Sequence, residues 1–114
     1  VVRLPDPTDP WWPPAVLDVD WLRHHAGDVD LVHVHFGFDG MAPEDLDAIG
    51  RELRGRGTPL VVTVHDLRNP HHSRPDLHEH QLAALLRHAS AVLTLTEHAA
   101  RAVARRHGRR AEVL

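Results

Sequence analysis

Two short apolar runs, rich in β-branched residues and ending in histidine, organise this chain. They are Asp30-Leu31-Val32-His33-Val34-His35-Phe36-Gly37 and Pro59-Leu60-Val61-Val62-Thr63-Val64-His65-Asp66. Strands covered on both faces in a parallel sheet read as continuous apolar runs rather than as alternating ones. The two runs therefore predict buried strands over about 30–36 and 59–65. Ala91-Val92-Leu93-Thr94-Leu95 predicts a third strand, and Ala111-Glu112-Val113-Leu114 begins a fourth.

Between the strands the period changes from two to 3.6. Ala15, Val19, Leu22 and Ala26 predict a helix over 15–26, with Gly27 as its stop. Leu46, Ile49 and Leu53 form the stripe of a helix over 43–54. Pro43 suits its first turn, and Glu44, Asp45 and Asp47 suit the positive end of its dipole. Gly55 and Gly57 are expected to close it. Leu82, Leu85, Leu86 and Ala89 mark a helix over 76–89. Thr96 is a natural N-cap for a fourth helix, 97–107, which Gly108 ends. Residues 1–14 hold five prolines and Trp11-Trp12, and are expected to form an irregular arm.

The order is a helix, three β-α units and a final strand. It predicts an α/β, Rossmann-like three-layer fold with a parallel sheet, four of whose strands lie in residues 15–114. Crossovers between parallel strands are right-handed. If each strand lies beside the last, the three linking helices share one sheet face, and only the 15–26 helix remains for the other. Half of a doubly wound sheet would then lie upstream, and Val1-Val2-Arg3-Leu4 reads like the middle of a longer chain. An uncovered face of this kind is expected to self-associate or to pack on a partner.

Composition narrows the function. With 114 residues the chain holds one domain at most. A net charge of −3 gives no basic field for nucleic acid. The apolar runs are far shorter than the ~20 residues that span a bilayer. There is no cysteine, which excludes disulfides and thiolate metal sites. All 13 basic residues are arginine, and lysine and tyrosine are absent. The missing residues have AT-rich codons, which points to a GC-rich genome such as an actinobacterial one. Most of the 12 histidines, among them His24, His25, His88 and His107, are assigned to surface polarity in a lysine-free protein.

The strand-end residues are different. Ligands of open α/β sheets bind outside the carboxyl ends of the strands. His33 and His35 are two apart and share a face. His35 is nearer the carboxyl end and is the preferred functional member. If the first two strands are neighbours, His35, His65 and Asp66 converge on one crevice. A histidine there can bond a sugar hydroxyl or a phosphate, or carry a proton near neutral pH. The alternative is a pair of structural histidines. The following loop offers Arg68 for phosphate and Asn69 for a hydroxyl. Gly37 and Gly40 let the backbone approach a ligand closely. Thr96 and the amides after it could hold an anion, or Thr96 could be an ordinary N-cap.

Residues 30–38, 59–71 and 91–100 together resemble the amino-terminal domain of GT-B glycosyltransferases of the family-four (group one) type. The similarity extends over about residues 28–114. It implies two Rossmann-like domains facing across a cleft, the amino-terminal one holding a sugar, lipid or small-molecule acceptor. The carboxyl-terminal one would hold a nucleotide-sugar donor, so no cofactor is expected here. The class is usually retaining, hexosyl-transferring and metal-independent. His65 would be catalytic, with His35, Gly37, Asp66, Arg68, Asn69 and Thr96 on the substrate. The first strand with its glycine-rich loop and the donor domain with its Glu-x7-Glu-like signature are both missing, so this chain would be an inactive piece of an enzyme. A cytoplasmic location follows, with or without attachment to the inner membrane face. Two alternatives stand beside it: a self-contained flavodoxin-like binding or regulatory module, and a metal hydrolase using His33, His35 and His65.

Overall fold

The computed structural model describes residues 15–35, 38–65 and 75–114. The arm over 1–14 lies outside them. Four strands, β1 (Val32–Val34), β2 (Leu60–Val64), β3 (Ala91–Thr94) and β4 (Glu112–Val113), form one sheet in the order β1-β2-β3-β4. Every pair is parallel, with Val34 opposite Val62, Val62 opposite Val92 and Thr94 opposite Val113. The expected α/β class and the parallel, chain-order sheet are both observed.

The helices are α1 (Val19–His24), α2 (Pro43–Arg56), α3 (Pro75–His88) and α4 (Glu97–His107). The stretch predicted as one helix over 15–26 is instead a 3-10 turn, a short α1 and a second 3-10 turn. The cause is Asp18. Its carboxylate accepts from the amides of Asp20 and Trp21 at 2.8 and 3.1 Å, so a new helix start is imposed at Val19. Gly27 falls inside the second 3-10 turn rather than stopping a helix. α2 runs through Gly55 and closes only at Gly57, whose φ of 71° is the left-handed conformation glycine permits. α4 has the predicted bounds. Thr96 caps it by accepting the Ala99 amide at 3.0 Å.

Even-numbered strand residues build the core. Val32, Val34, Leu60, Val62, Val64 and Val92 pack with Leu46, Ile49 and Leu53 of α2 and with Leu82, Leu85 and Leu86 of α3. Each such side chain contributes about 1.5–3 kcal/mol when removed from water. α1 does not cover the opposite sheet face. It docks on α2, where Arg56 donates to the Leu22 carbonyl at the end of α1 and Arg23 faces Glu52 at 3.6 Å. Arg109 closes the end of α3 in the same way, donating to the carbonyls of Leu86 and Ala89. On the second face Val61, Ala91 and Leu93 are half-buried, while Leu31 and Leu95 at its margins are 48% and 52% exposed.

α2 and α3 meet at Asp47. Its carboxylate accepts from His88 Nε2 at 2.7 Å and from Arg87 at 2.9 Å, and pairs with Arg51 at 2.7 Å. Asp47 thus faces α3; it stands beyond the first turn of α2, whose acidic residues are Glu44 and Asp45, and does not serve the helix dipole as expected. His88 is likewise not a surface residue: its side chain is 5% exposed. Gly50 makes the room. A Cβ at that position would stand 2.4–2.7 Å from the His88 side chain. Overpacking costs about 1–3 kcal/mol, against a helix-propensity gain of up to ~1 kcal/mol for alanine over glycine. Gly50→Ala should therefore be net destabilising, seen as a lower urea midpoint with an unchanged slope.

The hydrogen bond from His88, aided by Arg51 and Arg87, holds the Asp47 carboxyl below the ordinary carboxylate value against the opposing effect of burial. A depressed folded value means that the contribution is complete above the unfolded value of about 3.9 and is lost as pH falls through the folded one. Asp47→Asn should consequently lose most stability at neutral pH. Its deficit against the unaltered chain, measured by urea unfolding across a pH series, should shrink below about pH 4.

Candidate functional site

His33, His35, Thr63 and His65 alternate onto the second sheet face because side chains in a strand repeat every two residues. β1 and β2 pair with His33 opposite Val61. Each histidine of the first segment then reaches diagonally to the residue two further along the second. His33 Nε2 meets the Thr63 hydroxyl at 2.7 Å. One step toward the carboxyl ends, His35 Nδ1 meets His65 Nε2 at 3.0 Å. The His33 and His35 rings lie 4.0 Å apart and tilted, and the His35 and His65 rings 5.3 Å apart.

These contacts divide the histidines by depth. His33 is part-buried on Thr63, which is 2% exposed, and is a support. His35 is exposed and His65 half-buried, immediately past the ends of β1 and β2. The predicted convergence of His35 and His65 is observed. In their bond one ring nitrogen donates and the other accepts, so the pair shares a proton and at least one ring is neutral. Such a pair can accept a proton from a bound hydroxyl or hold that hydroxyl by a hydrogen bond.

The other predicted residues are distributed differently. Gly37, Asp66, Arg68 and Asn69 lie outside the described residues. The Thr96 hydroxyl is engaged by the Ala99 amide as the cap of α4. Among the described residues no three histidine or acidic side chains are arranged to hold a metal ion. The physical reason is visible in the contacts: a ring nitrogen of His33 is committed to Thr63, and His35 and His65 turn nitrogens toward each other. No helix among the described residues is long and apolar enough to cross a membrane.

One residue of the site escapes a reading of the sequence. Gln81 sits on the inner face of α3, 2% exposed, and donates to the carbonyls of Phe38, Asp39 and Met41 in the turn after His35. The only signal in the sequence is a polar residue next to Leu82 on the apolar stripe, a position with too many ordinary explanations to single out.

A parallel β-α sheet with polar groups gathered at the carboxyl ends of adjacent strands defines a Rossmann-like domain. The profile of the glycosyl transferase 4-like domain matches residues 1–114, the whole sequence, and the chain belongs to that family. Neither curated proteins nor solved structures gave a significant match. The family and the sheet agree with the glycosyltransferase resemblance. The flavodoxin-like and metal-hydrolase alternatives have no support from either.

The His33–Thr63 contact allows a direct test of which histidine is structural. Thr63→Val keeps shape and removes the hydroxyl, leaving a part-buried ring nitrogen without that partner. The expected loss is about 1–3 kcal/mol in thermal or urea unfolding.

Proposed function

We propose that this chain forms the acceptor side of a sugar-transfer cleft. The observation that carries the reading is the His35–His65 pair, bonded at 3.0 Å at the carboxyl ends of two adjacent parallel strands in a glycosyl transferase 4-like domain. The acceptor, a sugar, a lipid or another small molecule, presents a hydroxyl to this pair. Its oxygen bonds to the anomeric carbon of the donor sugar, the bond from that carbon to the nucleoside diphosphate breaks, and the hydroxyl proton is released. His65 orients the hydroxyl or takes its proton, and His35 stands beside it. Asp66, Arg68, Asn69 and Gly37 belong to the same acceptor side, and Thr96 adds the start of α4.

In this reading the nucleotide-sugar is held mainly by a second Rossmann-like domain, with hexosyl transfer and retention at the anomeric carbon. The leaving diphosphate is stabilised there, since electrostatic stabilisation of developing charge usually contributes most to lowering such a barrier. The reaction is cytoplasmic. The half-covered second sheet face is left for further polypeptide or a second copy of the chain.

The test is His65→Ala in the full-length protein, followed by nucleoside diphosphate release with acceptor present and by donor binding in its absence. Turnover should fall by about 10²–10⁴-fold, the usual worth of a positioned acid–base group, while donor affinity is unchanged. Near-normal turnover would make the histidine structural. The 114-residue chain assayed alone should transfer no sugar.

A further inference from the structure

Among the leucines on the inner face of α3 stand two buried polar neighbours one turn apart, His78 and Gln81. Both are directed at the turn that follows His35. The His78 ring stacks on the buried ring of Phe38, with centroids 6.0 Å apart and planes within 11°. Gln81 Nε2 donates to the carbonyl oxygens of Phe38 at 3.2 Å, Asp39 at 3.0 Å and Met41 at 2.7 Å. The turn is closed on itself by the Met41 amide, which donates to the Phe38 carbonyl at 3.0 Å.

A side-chain amide nitrogen carries two hydrogens, so three carbonyls gathered around it share them. An apolar residue would be the default on this face of α3, and burying an amide is favourable only when its hydrogen bonds are made. The reason for glutamine here therefore lies in the turn. Its inward carbonyls have in Gln81 a donor from an element about forty residues away in sequence. The turn begins three residues after His35 and ends where Ala42 and Pro43 start α2. The chain is thus anchored to α3 from Phe38, three positions after His35, and α3 itself follows the segment after His65 in sequence.

We infer that Gln81 is a positioning residue for the acceptor side of the cleft: it sets the turn over Phe38–Met41 and, through it, the placement of His35 against His65. The inference rests on the acceptor-side reading of that pair. Gln81 acts through the turn and does not itself meet the acceptor.

The variant Gln81→Met keeps length and removes both donors. In the full-length protein, amide hydrogen exchange over residues 38–42 should quicken by about tenfold or more, while the amides of β2 and β3 keep their protection. The ring nitrogen signals of His35 and His65 should shift together in the NMR spectrum. With a donor and acceptor pair on which the unaltered enzyme turns over, the acceptor KM should rise by about tenfold or more and the donor KM should not. Gln81→Asn keeps the amide on a shorter stem and should show smaller changes of the same kind. It carries the test if Gln81→Met does not fold. Native exchange over 38–42 with native histidine signals would overturn the inference, as would a uniform quickening over the whole sheet, which marks general stability only. If the local exchange and histidine signals change as expected but the acceptor KM does not, Gln81 positions the turn and the acceptor-side reading of the pair is what fails.

Discussion

The register of β1 on β2 decides where the chemistry of this domain can be. With Val34 opposite Val62, the valines of both strands enter one core and the histidines of both strands share the other face. A slip of one residue would send His33 and His35 into the layer of α2 and α3 and bring valines out, because the side-chain period is two. The large cost of burying two imidazoles in place of valines holds the register. The same diagonal offset then serves twice, giving His33 to Thr63 and His35 to His65. The lower pair is sheltered and supports; the upper pair is open at the strand ends.

The helical layer keeps that register in place and shapes the rim above it. α2 and α3 are locked through Asp47, with His88 entering the space Gly50 leaves. From the same α3, His78 and Gln81 hold the turn beyond β1. One helix therefore both closes the core and holds the turn over Phe38–Met41. The arginine-only composition fits this architecture. Arg56 and Arg109 use their planar guanidinium groups to satisfy carbonyls at the ends of α1 and α3, a task that needs several donors in one rigid fork.

Much of the fold was legible without coordinates. β-branched runs, 3.6-residue stripes and the capping residues Thr96, Gly57 and Gly108 set element type and order, because these are local preferences of backbone and side chain. The structure departs from the local signal where that signal has a competitor. Asp18 could cap as well as occupy a helix, and it divides the predicted 15–26 helix. Gly55 could stop a helix or be carried within one, and the packing of α2 carries it. His88 looked like surface polarity because a histidine near a helix end usually is, and nothing nearby in sequence reveals an aspartate 41 positions earlier.

By itself, then, the sequence determined the α/β class, the parallel order, the presence of polar groups at the strand ends and the resemblance to a glycosyltransferase domain. These depend on short-range periodicity and on the handedness of crossovers, which act along the chain. The tertiary structure supplied the strand pairing on which the predicted meeting of His35 with His65 depended, and it alone decided that His33 meets Thr63. It put α1 on α2 rather than on the open sheet face, made Asp47 a buried junction, and brought Gln81 to a turn about forty residues distant. Each of these is a contact between elements whose relative position is set by the whole core, and a one-dimensional pattern carries no record of which side chains will share a space.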